Sequence, residues 1–352
     1  MKNRRFLLYP LYLLLFLFGI DSIFRIPYVQ LLTKLDLTPI NYKAKSDLLD
    51  QLIETQTSRG KGNKKLMIIL GSSRLLYFDA DDLRAFYPDW EIYNLSSAVT
   101  TPAYYDYNLY RLLEANIKPD LVLLETDPNQ FNQNSIFKIS NLTFSFDLPY
   151  VLKNLDLFGK EHLSFFLGRR LFAIGTYKPY LDQIWRNSQN ENLAGFLDMR
   201  DKTYQHLLSK NGHGLSPIDH YTEKDSNVLE LTSHRTLDWL FSSYQPSKMQ
   251  FGFFTQLMER LKEAKVRTII IWPSSSRNFE MLMEKQRIVE EWEKNVDTIA
   301  TEYGSPVLKL KQDPNYSCSA FADGGHIAKE CYHSLMRAVL LEYFRRYESS
   351  RL

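Results

Sequence analysis

The stretch that most constrains this chain is Lys65-Leu66-Met67-Ile68-Ile69-Leu70-Gly71-Ser72-Ser73-Arg74. A continuous apolar run of this length reads as a strand buried on both faces of a parallel sheet. It drives straight into a tight Gly-Ser-Ser turn, and open α/β sheets bind their ligands beyond the carboxyl ends of such strands. A serine set there by a glycine turn is sited to be a nucleophile if a base reaches it. Otherwise the same serines cap the helix that follows. The remainder of the chain decides between the two.

The 352 residues suit one large α/β domain carrying an insertion, and 44% apolar content is ordinary for a folded core. Basic and acidic residues nearly balance, 43 against 41, so no overall field points to nucleic acid. There is no Walker or Gly-x-Gly-x-x-Gly phosphate loop and no Cys/His pattern with zinc spacing. Nucleotide-driven chemistry, a metal and a cofactor are therefore not expected.

Lys2, Arg4 and Arg5 precede the apolar run from Phe6 to Ile20. A basic flank before such a run marks a secretory signal or a signal anchor, and no small-x-small cleavage signature follows. The expectation is an uncleaved anchor over residues 1–25, with the uncharged core about 22 Å long against a hydrocarbon thickness of roughly 30 Å. The positive-inside rule keeps the N-terminus in the cytoplasm and sends the rest of a bacterial chain to the periplasmic or extracytoplasmic side. Residues 26–64 read as a tether, with helical periodicity over Ser46–Glu54 and a loop at residues 57–63.

Strands are expected at Leu66–Leu70, Trp90–Asn94, Leu121–Glu125, Arg267–Pro273 and Pro306–Leu310, separated by helices at Pro102–Ala115, Met249–Lys265 and Glu284–Tyr303. A final helix spans Ile327–Tyr347. This alternation predicts a flavodoxin-like three-layer α/β/α fold around a mainly parallel five-stranded sheet. Between about residues 131 and 246 the rhythm stops. So long a stretch cannot be a bare loop, so it reads as a mostly helical inserted subdomain or lid. Asn141-Leu142-Thr143 matches a glycosylation acceptor, a pattern without weight in a bacterial protein.

Before the last helix stands Phe321-Ala322-Asp323-Gly324-Gly325-His326-Ile327. A carboxylate three residues before a histidine, on a glycine-loosened turn, can fold back and hold the imidazole so that it accepts a proton from a serine. A turn after the fifth strand lies on the same sheet edge as Ser73. Ser73, His326 and Asp323 are thus the expected nucleophile, base and orienting group. Cys318 and Cys331 bracket the turn. In an oxidising compartment a disulfide between them would pin the base, and two free buried cysteines are the alternative.

With these two blocks the chain resembles the SGNH/GDSL hydrolase superfamily, over about residues 65–130 and 245–350. Gly71-Ser72-Ser73 matches its nucleophile turn, and Asp323 with His326 matches its C-terminal motif. The layout is similar to membrane-anchored bacterial members that assist acylation of cell-surface polymers, such as the lipoteichoic-acid D-alanylation protein and the alginate O-acetylation proteins. The resemblance implies an extracytoplasmic serine esterase or O-acyltransferase acting on cell-surface polysaccharide or another acylated envelope polymer, partnered by a membrane-bound O-acyltransferase. The middle blocks depart from the pattern. Asn94-Leu95-Ser96-Ser97-Ala98-Val99 lacks the family's glycine, leaving the Ala98 or Val99 amide to stabilise an oxyanion. Asp127 stands where the family has an asparagine, and Asn129 lies two residues on. Arg74 and Asp127 are candidates for binding substrate, and Arg74 also has Asp127 and Glu125 as possible ion-pair partners. A non-catalytic envelope scaffold or binding protein with this fold is the competing expectation.

Overall fold

The apolar runs become strands almost to the residue: β1 Lys65–Leu70, β2 Trp90–Asn94, β3 Leu121–Glu125, β4 Thr268–Trp272 and β5 Val307–Lys309. A computed structural model describes residues 6, 8–59, 62–214 and 221–348. The strands form one sheet in the order β2-β1-β3-β4-β5 with every pair parallel. Direction of travel reverses between β1 and β3, which places a crevice beyond their carboxyl ends.

Strand alternation splits the core into two layers. Leu66, Ile68 and Leu70 of β1 face helices Thr38–Arg59, Pro102–Glu114, Lys248–Glu263 and Ile288–Glu302. Met67 and Ile69 face helices Ala80–Phe86 and Cys331–Tyr347. The architecture is α/β/α in three layers.

Three segments differ in form from what the sequence suggested. First, the N-terminal helix is only Tyr9–Ile23, and among the described residues no single helix is long and apolar enough to cross a membrane. By length and composition it passes only together with Pro27–Thr33, across a bend of 82°. A proline at the start of the second helix and the charged Arg25 fall at the break. Lys2, Arg4 and Arg5 lie outside the described residues.

Second, the supposed tether is largely core. Helix Thr38–Arg59 buries Tyr42, Leu48, Leu49 and Leu52 against the sheet layer. Its Lys45 is fully buried and donates to the carbonyls of Asn94 and Gly212. Burial pulls that ammonium well below its ordinary range. Of the loop expected at 57–63, Gly60 and Lys61 lie outside the described residues. Third, the long charged helix at 284–303 is broken. Arg287, at φ 54°, separates Arg277–Lys285 from Ile288–Glu302.

The chain departs from the sheet at Phe131 and returns beside itself. Asn132 bridges Pro246, the Gln133 amide donates to Gln245 O at 2.7 Å, and the Ser247 amide donates to Phe131 O at 2.7 Å. The intervening helices do not hang free. Phe137, Phe146, Tyr150, Phe158 and Phe166 form an aromatic cluster with Phe253 of helix Lys248–Glu263. Farther on, the Asn94 amide at the end of the edge strand β2 donates to Asn211 O at 2.8 Å. Such cover protects an edge that would otherwise present unpaired backbone.

If residues 38–59 are core, Leu49→Ala, at a position with no exposure, lowers stability by about 2–5 kcal/mol in denaturant unfolding. A change within about 0.5 kcal/mol is what a tether position would show.

Candidate active site

The nucleophile turn is built by close approach. A Cβ at Gly71 would lie 2.7 Å from Glu125 Oε2 and 3.0 Å from Leu75 Cβ, so only glycine lets β1 end this near β3. The two serines then part ways. Ser72 is buried, its amide and hydroxyl each donate to Glu125 at 2.6 Å, and its Oγ accepts from the Arg74 amide at 3.3 Å. Ser72 is thus the cap, and Ser73 is left half-exposed. Ser73 Oγ stands 2.8 Å from His326 Nε2.

On the far side, His326 Nδ1 lies 2.9 Å from both carboxylate oxygens of Asp323. Asp323 Oδ1 also accepts from the Gly325 and His326 amides at 2.8 Å, so the turn closes on its own carboxylate. Burial opposes ionisation there, but the imidazole and the two amides outweigh it and hold Asp323 down at about 2. An ionised Asp323 holds the proton on Nδ1 and directs Nε2 to accept from Ser73.

Two devices hold this turn. Cys318 and Cys331 are disulfide-bonded across its base, settling that open pairing. Helix Ser226–Leu240 of the insertion presses on its tip. The Gly324 amide donates to Thr232 Oγ1 at 3.0 Å, and a Cβ at Gly324 would lie 2.6 Å from Ser233 Cα.

Arg74 and Asp127, expected to meet substrate, instead face each other in the interior. Both are buried, and they form an ion pair with each other. Arg74 Nη2 also donates to Ser274 O at 3.0 Å, Pro273 O at 3.3 Å and Ser275 Oγ at 2.5 Å in the loop after β4. The guanidinium therefore ties together the ends of β1, β3 and β4. Glu125, the last residue of β3, is buried beside this pair. Burial pushes its carboxyl up to about 7, against the pull of Arg74 and of the Ser72 hydroxyl and amide. The buried Arg74 cation is thereby paired with Asp127, while Glu125 is shifted toward its protonated form.

The turn that carries Ala98 and Val99 is under strain. Val99 has φ 55°, a conformation rarely adopted by a β-branched residue. It is held by its surroundings: the Ser97 amide and Thr100 Oγ1 donate to Gly71 O at 3.1 and 2.7 Å. Tyr42 OH donates to Ala98 O at 2.7 Å and Asn141 Nδ2 donates to Val99 O at 2.8 Å. With both carbonyls engaged, the Ala98 and Val99 amides have no acceptor among the described residues. Asn129 is half-buried; its backbone amide donates to Asp127 Oδ1 at 3.1 Å, while its side-chain amide has no partner among the described residues. Tyr42 and Asn141 escaped the sequence reading. Asn141, fully buried, is a brace rather than a glycan acceptor.

Fold and site together define a three-layer α/β/α protein with a Ser-His-Asp constellation at the carboxyl edge of a parallel sheet. A family model described as "Protein of unknown function (DUF1574)" matches residues 1–343, and the chain belongs to this family. No curated protein matches the chain. Among the described residues, no group of three or more His, Cys, Asp or Glu side chains could hold a metal ion.

Two consequences are testable. Folded Glu125 keeps its proton up to about pH 7, whereas an unfolded chain releases it near 4.5. The stabilisation from this group is complete below 4.5 and lost as the pH rises through 7. Denaturant unfolding of the wild type should show that decline, and Glu125→Gln should flatten it. Gly324→Ala should push the His326 turn off Ser233, lowering any Ser73-dependent reactivity on the order of tenfold or more while the chain stays folded by circular dichroism.

Proposed function

We propose that this chain is a serine esterase or O-acyltransferase of the SGNH/GDSL type, working through an acyl-Ser73 intermediate. The observation that carries the reading is the unbroken relay from Ser73 Oγ to His326 Nε2 at 2.8 Å and from Nδ1 to Asp323 at 2.9 Å. In the first half-reaction His326 takes the Ser73 proton as Oγ attacks the acyl carbonyl. It then gives that proton to the departing alcohol oxygen, leaving an ester on Ser73. In the second, His326 deprotonates water or a sugar hydroxyl, which attacks the ester and releases Ser73. The unengaged Ala98 and Val99 amides and the Asn129 side chain are the donors for the tetrahedral oxyanion.

The proposed setting is the extracytoplasmic side of a bacterial membrane. A disulfide beside the base and an N-terminal helix that is apolar and exposed from Leu11 to Leu17 support it. The substrate class is an acylated envelope polymer or polysaccharide, and the acyl donor a membrane-bound O-acyltransferase. Both follow from the resemblance of the two motif blocks.

A fluorophosphonate probe tests the chemistry. Full-length protein should label at Ser73, and Ser73→Ala should not. Asn129→Ala should label on the order of a hundredfold more slowly, as expected for loss of one oxyanion donor. Equal absence of labelling in wild type and Ser73→Ala would overturn the proposal in favour of a non-catalytic binding protein.

A further inference from the structure

A cavity of about 340 Å³ opens where helix Pro27–Thr33 and the start of helix Thr38–Arg59 meet the insertion. Arg169, Lys178 and Arg200 line it, and among the described residues none of the three has a carboxylate partner. The acid on its wall, Asp36, is already taken by Lys34 at 2.6 Å. Arg169 Nη1 is buried with no hydrogen-bond acceptor, and burial without a counter-charge pulls that guanidinium below its ordinary value. Unsatisfied buried donors are rare, and one beside two further unpaired cations calls for an anion. The other walls are largely apolar, with Leu31, Ile40, Ile136, Ile139 and Phe144.

What surrounds the cavity selects the kind of anion. A second cavity of about 790 Å³ shares Ile40, Phe144, Tyr177 and Arg200 with the first and extends to Arg25 and Leu171. Those residues stand at the foot of helix Tyr9–Ile23. Asp21 at its last turn accepts from the Ala173 and Ile174 amides at 3.0 and 2.9 Å, and Phe18 stacks on Phe172 at 5.7 Å. Above that foot, each residue from Leu11 to Leu17 is at least 49% exposed. Seven consecutive apolar residues sweep the whole circumference of a helix. A protein groove covers one face, whereas lipid covers all of them. The cationic cavity thus opens at the end of the exposed apolar helix, where a lipid surface covering that helix would present its headgroups.

We propose that this cavity binds the phosphate-bearing headgroup of an anionic lipid. Arg169, Lys178 and Arg200 meet the phosphate, and the apolar walls take the first part of its chain. The site stands apart from the Ser73 relay and rests on helix Tyr9–Ile23 facing lipid.

The test is flotation of the full-length chain with vesicles of phosphatidylcholine alone or mixed with phosphatidylglycerol. Wild type should float with both and bind the mixed vesicles several-fold more tightly. The double variant Arg169→Gln, Arg200→Gln should lose that preference while still floating with phosphatidylcholine and still labelling at Ser73 as wild type does. Retained preference in the double variant overturns the proposal. So does an equal loss on replacing the exposed, remote Lys285 and Lys294 by glutamine, which would mean diffuse charge attraction. Erasure of the preference by inorganic phosphate, but not by sulfate at equal ionic strength, would mark a site for free phosphate and overturn the lipid assignment.

Discussion

The buried guanidinium of Arg74 is the contact on which the candidate site depends. It meets Asp127 from β3 and the carbonyls after β4, while its own backbone carries the nucleophile turn of β1. Tyr332 of the last helix donates to Arg74 O at 3.0 Å, adding the opposite layer. An unpaired charge at this depth would be strongly destabilising, so the arrangement works only if charges match. Asp127 supplies the opposite charge to Arg74, and burial raises the Glu125 carboxyl to about 7, favouring its protonated form beside Ser72 and Gln130. Arg74, Asp127 and Glu125 fill the crevice at the point where the sheet reverses direction.

The two halves of the relay are positioned by different physics. Ser73 is set by close backbone approach at Gly71 and by that charge lock. His326 is set by a turn folded on Asp323, a disulfide at its base and an insertion helix at its tip. The insertion is therefore part of the site's scaffold through helix Ser226–Leu240, whatever its outer helices do.

The strands, the serine turn and the Asp-x-x-His turn were legible in the sequence because each is a local signal: an apolar run, a glycine close approach, a carboxylate three residues from its imidazole. The Arg74–Asp127 pair was open to two readings, since burial decides between partner and substrate and burial is not local. Tyr42 and Asn141 were invisible as braces of Val99, because they come from segments that read as tether and inserted subdomain and meet only in the folded chain. The tether itself was misread for a related reason. Helix Thr38–Arg59 carries many charges, and its apolar face is too irregular to stand out from the pattern alone. The break at Arg287 left no signature, since no glycine or proline marks it.

The insertion begins and ends within a single backbone pairing, Phe131 with Ser247 and Asn132 with Pro246. To the sheet, more than a hundred intervening residues are topologically equivalent to a hairpin. The entropy of closing a loop grows only logarithmically with its length, so the register of β3 and β4 is nearly indifferent to what hangs between those feet. The carboxyl edge of the sheet and the helical outgrowth can then vary largely on separate schedules. Within the outgrowth, helix Ser226–Leu240 at Gly324 and Asn141 at Val99 are tied to the site, while exposed helices such as Leu181–Ser188 carry no such constraint.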